Sequence, residues 1–108
     1  MELVIIESPY AGDVEQNLAY LKECQRDSIR RGEAHFASHR MYTNALDDSV
    51  ELEREIGLRT GYAWMRAADR VAVYIDFGLS DGMKRAITEA LKMKIPVEFR
   101  RLERKVAA

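Results

Sequence analysis

Val71-Ala72-Val73-Tyr74-Ile75-Asp76-Phe77-Gly78-Leu79-Ser80-Asp81-Gly82 joins an apolar run to a glycine-bearing turn and then to a helical pattern. An unbroken run, as opposed to an alternating one, suits a strand buried on both faces of a parallel sheet. Behind the turn, Met83, Ile87, Ala90 and Leu91 recur at helical spacing, with Ser80 or Asp81 as cap and Lys92, Lys94 and Pro96 closing the pattern. The same arrangement opens the chain. Leu3-Val4-Ile5-Ile6 is a second buried run, and Ser8-Pro9-Tyr10-Ala11-Gly12-Asp13 is its turn. Asp13 and Gln16 have capping-box spacing, and Val14, Leu18, Leu21 and Cys24 form a stripe that predicts a helix over 14–31, ended by Arg30, Arg31 and Gly32.

The stretch between these units completes the order. Ala34 to Ser38 reads as a strand interrupted by polar residues, and His39 to Asp47 lacks a period and reads as a loop. Asp48 with Glu51 makes another capping box, predicting a helix to about Ala67. Its acidic residues Glu51, Glu53 and Glu55 come first and Arg59, Arg66 and Arg70 later, the order that complements the helix dipole. Pro96 to Leu102 is a last, less apolar strand, suited to an edge where proline is tolerated. The resulting β-α-β-α-β-α-β order favours right-handed crossovers and a parallel sheet. The expected fold class is α/β: a three-layer sandwich with a flavodoxin-like parallel sheet of four or five strands and helices on both faces. With strands 1 and 3 central, the two glycine turns meet at the switch point where such sheets bind ligands.

Length and composition narrow the function. At 108 residues the chain fits one domain, 1–108, with an ordinary globular mixture of 47% hydrophobic and 32% charged residues. Seventeen basic and eighteen acidic side chains leave a formal charge of −1, which argues against a generic nucleic-acid or anionic-membrane binder. The single Cys24 and two histidines, His35 and His39, give no zinc-site spacing and no internal disulfide, so no metal is expected and a reducing, cytoplasmic setting is the default. No export signal or membrane-length apolar run is present. The turns match neither G-x-x-x-x-G-K-[ST] nor G-x-G-x-x-G, and no cofactor is expected.

The candidate ligand-binding residues are those the topology gathers. Gly78 and Gly82 allow positive φ or close approach to a ligand, and Ser80 with the free N–H groups of the third helix offers donors to an anion or a ribose hydroxyl. Ser8, Tyr10 and Gly12 hold the equivalent place after strand 1, where Tyr10 could stack on a nucleobase. Asp76 ends strand 3 as a carboxylate at the crevice mouth, His39 follows strand 2 on the same side, and Asp47 stands beside the expected cap Asp48. Asp76 and Asp47 are the candidate catalytic carboxylates. Each of these also has a purely local use, as a turn residue, a cap or a solvated side chain. Within the second helix, Gly57 and Gly61 each cost about 1 kcal/mol relative to Ala, and with Trp64 they suggest a homo-oligomer contact.

Taken together, Ser8-Pro9-Tyr10-Ala11-Gly12, Ala37-Ser38-His39 with Asp47-Asp48, and Asp76-Phe77-Gly78-Leu79-Ser80-Asp81-Gly82-Met83 resemble the nucleoside 2-deoxyribosyltransferase-like superfamily, including small bacterial and phage-encoded relatives of unassigned function. The resemblance implies a flavodoxin-like sheet, a nucleobase and sugar at the ends of strands 1 and 3, and sites often completed by a neighbouring subunit. It also implies a nucleophilic glutamate four residues beyond the glycine of the second turn. Counted from Gly82 that position is Ala86, and the next carboxylate, Glu89, lies three residues further along. Attack at an anomeric carbon needs a nucleophile within about 3–3.5 Å, which Ala86 does not supply. The expectation is therefore binding of a nucleotide or nucleoside-derived small molecule without covalent catalysis, with sequestration of a nucleotide signal as one use. The alternatives are an N-glycoside hydrolase or deoxyribosyltransferase-like enzyme, and a structural or protein-interaction module.

Overall fold

The computed structural model describes residues 1–37, 42 and 45–102. Seven elements run in the expected order: β1 (Leu3–Glu7), α1 (Val14–Arg30), β2 (Ala34–Phe36), α2 (Glu51–Met65), β3 (Arg70–Tyr74), α3 (Asp81–Lys92) and β4 (Val97–Arg100). All pairings are parallel and the sheet order is β2-β1-β3-β4, so β1 and β3 are central and β4 is an edge. The register sets Ile5 beside Val71 and Val71 beside Val97.

The unbroken apolar runs are used on both faces. On one side Val4, Ile6, Ala72 and Tyr74 pack with Tyr20, Leu21 and Cys24 of α1. On the other, Ile5, Val71 and Val73 pack with Met65 of α2 and with Met83, Ala86 and Ala90 of α3. Each fully buried aliphatic side chain contributes about 1.5–3 kcal/mol, so the central strands, apolar on both faces, anchor the two layers of helices. This is the expected α/β sandwich with a four-stranded sheet.

Several local expectations need correction. The second helix begins at Glu51 with Val50 at its N-cap and no side-chain cap bond. Asp48 is therefore not the cap. Asp47 instead turns its Oδ1 onto the Ser49 amide (3.0 Å) and hydroxyl (2.6 Å), an Asx turn that holds residues 47–49 out of the helix. The last strand is shorter than 96–102, and β2 ends at Phe36, while Ser38 lies outside the described residues. Asp13 does cap α1, accepting from the Gln16 amide at 3.0 Å. Ser80, rather than Asp81, caps α3, accepting from the Met83 amide at 3.3 Å.

Gly57 also has a use inside the chain. A Cβ there would lie 3.5 Å from Leu46 Cδ1 and 3.8 Å from Tyr42 Cβ, so the glycine lets the segment before α2 approach the helix. Gly61 is buried. Trp64 is 53% exposed and stacks on Phe36 of β2 with ring centroids 5.1 Å apart, so its own chain covers part of the indole. Among the described residues no helix is long and apolar enough to cross a membrane.

Candidate functional site

The central strands end in two turns of different construction. After β1, buried Asn17 of α1 donates from Nδ2 to the carbonyls of Tyr10 (3.0 Å) and Ala11 (2.9 Å), fixing the path of the turn. Gly12 follows at φ +95°, a conformation costly for other residues, before the Asp13 cap. After β3, the Gly78 amide donates to the Ile75 carbonyl at 2.9 Å and Gly78 adopts φ +80°. Ser80 then starts α3.

Between these turns and α2 lies a cavity of about 350 Å³, within the usual range of small-molecule sites. Its floor is Glu7, the last residue of β1, with Met83 and Ala86 of α3. Ser8, Tyr10 and Ala11 line it from the first turn, Ser80, Asp81 and Gly82 from the start of α3, and Glu53, Arg54, Gly57, Leu58 and Tyr62 from α2. Tyr42, Leu46 and Asp48, from the segment before α2, also line it. Four of these side chains are carboxylic acids, Glu7, Asp48, Glu53 and Asp81, against the single cation Arg54. Such a wall suits neutral or hydroxyl-bearing ligands better than an anion.

Of the anticipated residues, Ser8, Tyr10, Ser80 and Gly82 are brought together in this cavity. Gly12 and Gly78 shape the adjoining turns. His39 lies outside the described residues. Asp76 projects to the opposite, α1 face of the sheet. Its Oδ2 accepts from the Tyr20 hydroxyl at 2.5 Å and from the Leu102 amide at 3.1 Å, and its own amide donates to the Tyr20 oxygen at 3.1 Å. This carboxylate is a brace joining β3, α1 and the end of β4. Strand parity is the reason: Ala72, Tyr74 and Asp76 alternate onto the α1 side, and Val71 and Val73 onto the other. Asp47 is exposed, and its bonds to Ser49 hold its carboxyl below the ordinary carboxylate range. Arg85 pairs with Glu55 at 3.1 Å and, like Lys84, lies outside this cavity, leaving Arg54 as its cation among the described residues.

The residue that sequence reasoning missed is Glu7. It shares the face of Ile5, so its carboxyl enters the same side of the sheet as Ala86. Burial, with no compensating cation, pushes its carboxyl up to about 8. The signal available was parity, two residues beyond buried Ile5, but the face carrying the cavity was not known. Tyr62 of α2 lines the same cavity, and its hydroxyl is buried with no hydrogen-bond partner among the described residues. Burial raises it, and Glu7 and Glu55 add to that while Arg85 opposes it. Cys24, by contrast, sits in the α1 layer, buried and pushed up to about 12 by that burial. Among the described residues no group of three or more His, Cys, Asp or Glu side chains could hold a metal ion.

The fold is similar to a solved structure of the 2-deoxyribosyltransferase from the psychrotolerant bacterium Bacillus psychrosaccharolyticus. The TM-score is 0.73 at 12% identity, over 98% of this chain and 77% of that one. No curated protein matches the sequence. A family model described as a domain of unknown function, DUF7768, matches residues 2–100. With its central β1 and β3, its glycine turns and the cavity between them all inside that span, the chain belongs to the DUF7768 family.

Proposed function

We propose that this protein binds a nucleoside-derived small molecule in the cavity at the carboxyl ends of β1 and β3, without forming a covalent intermediate. One observation carries the reading: Ser8 and Tyr10 from the first turn and Ser80 and Gly82 from the second converge on one cavity beside Ala86. The turns supply an aromatic ring, hydroxyls and backbone groups suited to a base and a sugar. The likeness of fold to a deoxyribosyltransferase supports the ligand class. Ala86 supports binding over double displacement, because a methyl group cannot attack an anomeric carbon. The acidic wall favours the nucleoside part of the ligand over a phosphate held inside the cavity.

A hydrolytic role through Asp76 or Asp47 loses support, since both carboxylates are committed to neighbouring groups on the protein. A role as a protein-interaction module would draw on Leu52, Ile56 and Trp64, exposed along α2. The test has two parts. Freshly purified protein is denatured and the released small molecules are identified by mass spectrometry. Refolded or untreated protein is then incubated with nucleosides and 5′-monophosphates while binding and free base are followed. Recovery or binding of an intact nucleoside compound is expected. Release of many equivalents of free base per protein would replace the binding reading by a hydrolase, and the absence of any ligand, binding or turnover would leave the interaction module.

A further inference from the structure

Two polar groups of the cavity have no hydrogen bond to the described part of the chain. The Glu7 carboxyl closes the β1 end, and Tyr62 of α2 lines the same cavity with a hydroxyl that is buried and without a partner among the described residues. Buried polar groups are ordinarily satisfied, and an unpartnered group on a residue of a cavity wall is where a ligand atom can complete the set. We propose that Glu7 and Tyr62 are the base-recognition pair of this cavity: the Glu7 carboxyl donates to a ring acceptor of an uncharged nucleobase and accepts from the adjacent amino or imino group. Tyr62 satisfies a further polar atom on the same edge. The inference rests on the nucleoside-binding reading and adds to it the atoms that select the base.

The donor pattern gives the specificity. A protonated carboxyl offers one donor and one acceptor side by side, which matches an acceptor-plus-donor edge, a pattern that every base carries. An ionised carboxylate offers two acceptors and matches the adjacent N1–H and N2–H donors that guanine alone carries, so only guanine fits both forms. The surroundings hold Glu7 in the first form. Arg54 is the only cation lining the cavity among the described residues, and Asp48, Glu53 and Asp81 add negative charge that disfavours a further anion. Tyr10 and Tyr62 are the remaining titratable neighbours in the wall from the first turn and α2, with Tyr42 ahead of that helix. Burial raises the carboxyl as described above, and the neutral acid is the form this recognition requires at pH 7.

The experiment measures affinity for 2′-deoxyadenosine, 2′-deoxycytidine, thymidine and 2′-deoxyguanosine, and for their 5′-monophosphates, by calorimetry from pH 6.5 to 9.5. In parallel, Glu7 is titrated by carbon NMR of carboxyl-labelled glutamate in the ligand-free protein and assigned with Glu7→Gln. The expected result is a glutamate titrating near 8 and binding of the adenine, cytosine and thymine nucleosides that weakens about tenfold per pH unit above that value. The guanine nucleoside should instead keep its affinity above that value, because its two adjacent donors fit the ionised form. Glu7→Gln keeps a donor and an acceptor without the titration, so whatever affinity it has should lose the pH dependence. Tyr62→Phe should weaken binding about tenfold with an unchanged circular dichroism spectrum. Glu7 titrating near 4.5, a flat profile for the adenine, cytosine and thymine nucleosides, or an unchanged pH dependence in Glu7→Gln overturns the recognition pair while leaving nucleoside binding intact. Failure of all eight probes to bind overturns the nucleoside reading and the pair with it.

Discussion

Replacing Arg100 tests how the edge strand is locked to the rest of the fold. Its side chain is 2% exposed and forms a bidentate pair with Glu33, 2.8 Å from Nη1 and 2.7 Å from Nη2, with Glu33 itself 10% exposed. Nε donates to Glu98 at 2.9 Å, and Nη1 also reaches the Tyr74 hydroxyl at 3.2 Å. Tyr74 in turn donates to Asp27 at 2.7 Å, and Ser28 donates to Glu33 at 2.8 Å. Arg100→Met would leave Glu33 buried with Ser28 as its remaining donor, whereas Glu98 keeps Arg70. Breaking a buried pair on one side costs about 3–5 kcal/mol. That is a large share of the roughly 5–15 kcal/mol that stabilises a domain. Equilibrium urea unfolding should record a midpoint lower by about 2 M, taking a slope of roughly 2 kcal/mol per molar. Arg100→Met combined with Glu33→Leu removes both charges, and it should recover at least about 2 kcal/mol of the loss, because no orphaned carboxylate remains. A single variant within about 1 kcal/mol of the parent, or a double variant as unstable as the sum of the two single changes, would refute the reasoning. The network also has a pH signature. Hydrogen bonds from Arg100 hold the Glu33 carboxyl below its ordinary 4.5, so its contribution is fully present above that value and is lost as pH falls through the folded-state value.

Glu7 has the opposite sign. Its carboxyl ionises near 4.5 when unfolded and near 8 when folded, so the wild type should lose stability relative to Glu7→Gln as pH rises between those values, by about 1.4 kcal/mol per pH unit, readable from urea melts at pH 5, 6.5 and 8. Lys94 sits at φ +59° directly after α3, with the Ile95 amide bonded to the Ala90 carbonyl at 2.9 Å and its own amide to Leu91 at 3.1 Å. This is a Schellman end, where glycine is the unstrained residue, so Lys94→Gly should stabilise the fold by about 0.5–1 kcal/mol in the same assay. Gly78→Ala carries the reverse cost, about 1–2 kcal/mol, since its φ of +80° is strained even though no atom lies within 4 Å of an added Cβ. A melting temperature unchanged by Gly78→Ala would show that the turn relaxes.

Periodicity made the fold legible. Two unbroken apolar runs, each followed by a glycine turn and a capped helix, dictate central parallel strands, because only a strand covered on both faces can carry Val71 to Tyr74 without a polar residue. The same patterns identified Asp13 as a cap and the edge position of the last strand. The start of α2 was not legible, since Asp47 and Asp48 are both good caps and neither is used: Asp47 bonds Ser49 and the helix starts after Val50.

The sequence by itself thus determined the layers, the strand order and the two turns that border the cavity, including the alanine at position 86. Tertiary structure alone decided which face of the sheet holds the cavity. That choice turns Asp76 toward Tyr20 and Leu102 as a brace and leaves Glu7 at the end of β1 facing the cavity. Alternation along a strand assigns residues to two faces, but only the packing of α2 and α3 against one of them makes that face a cavity and draws water away from Glu7, the burial that raises its carboxyl.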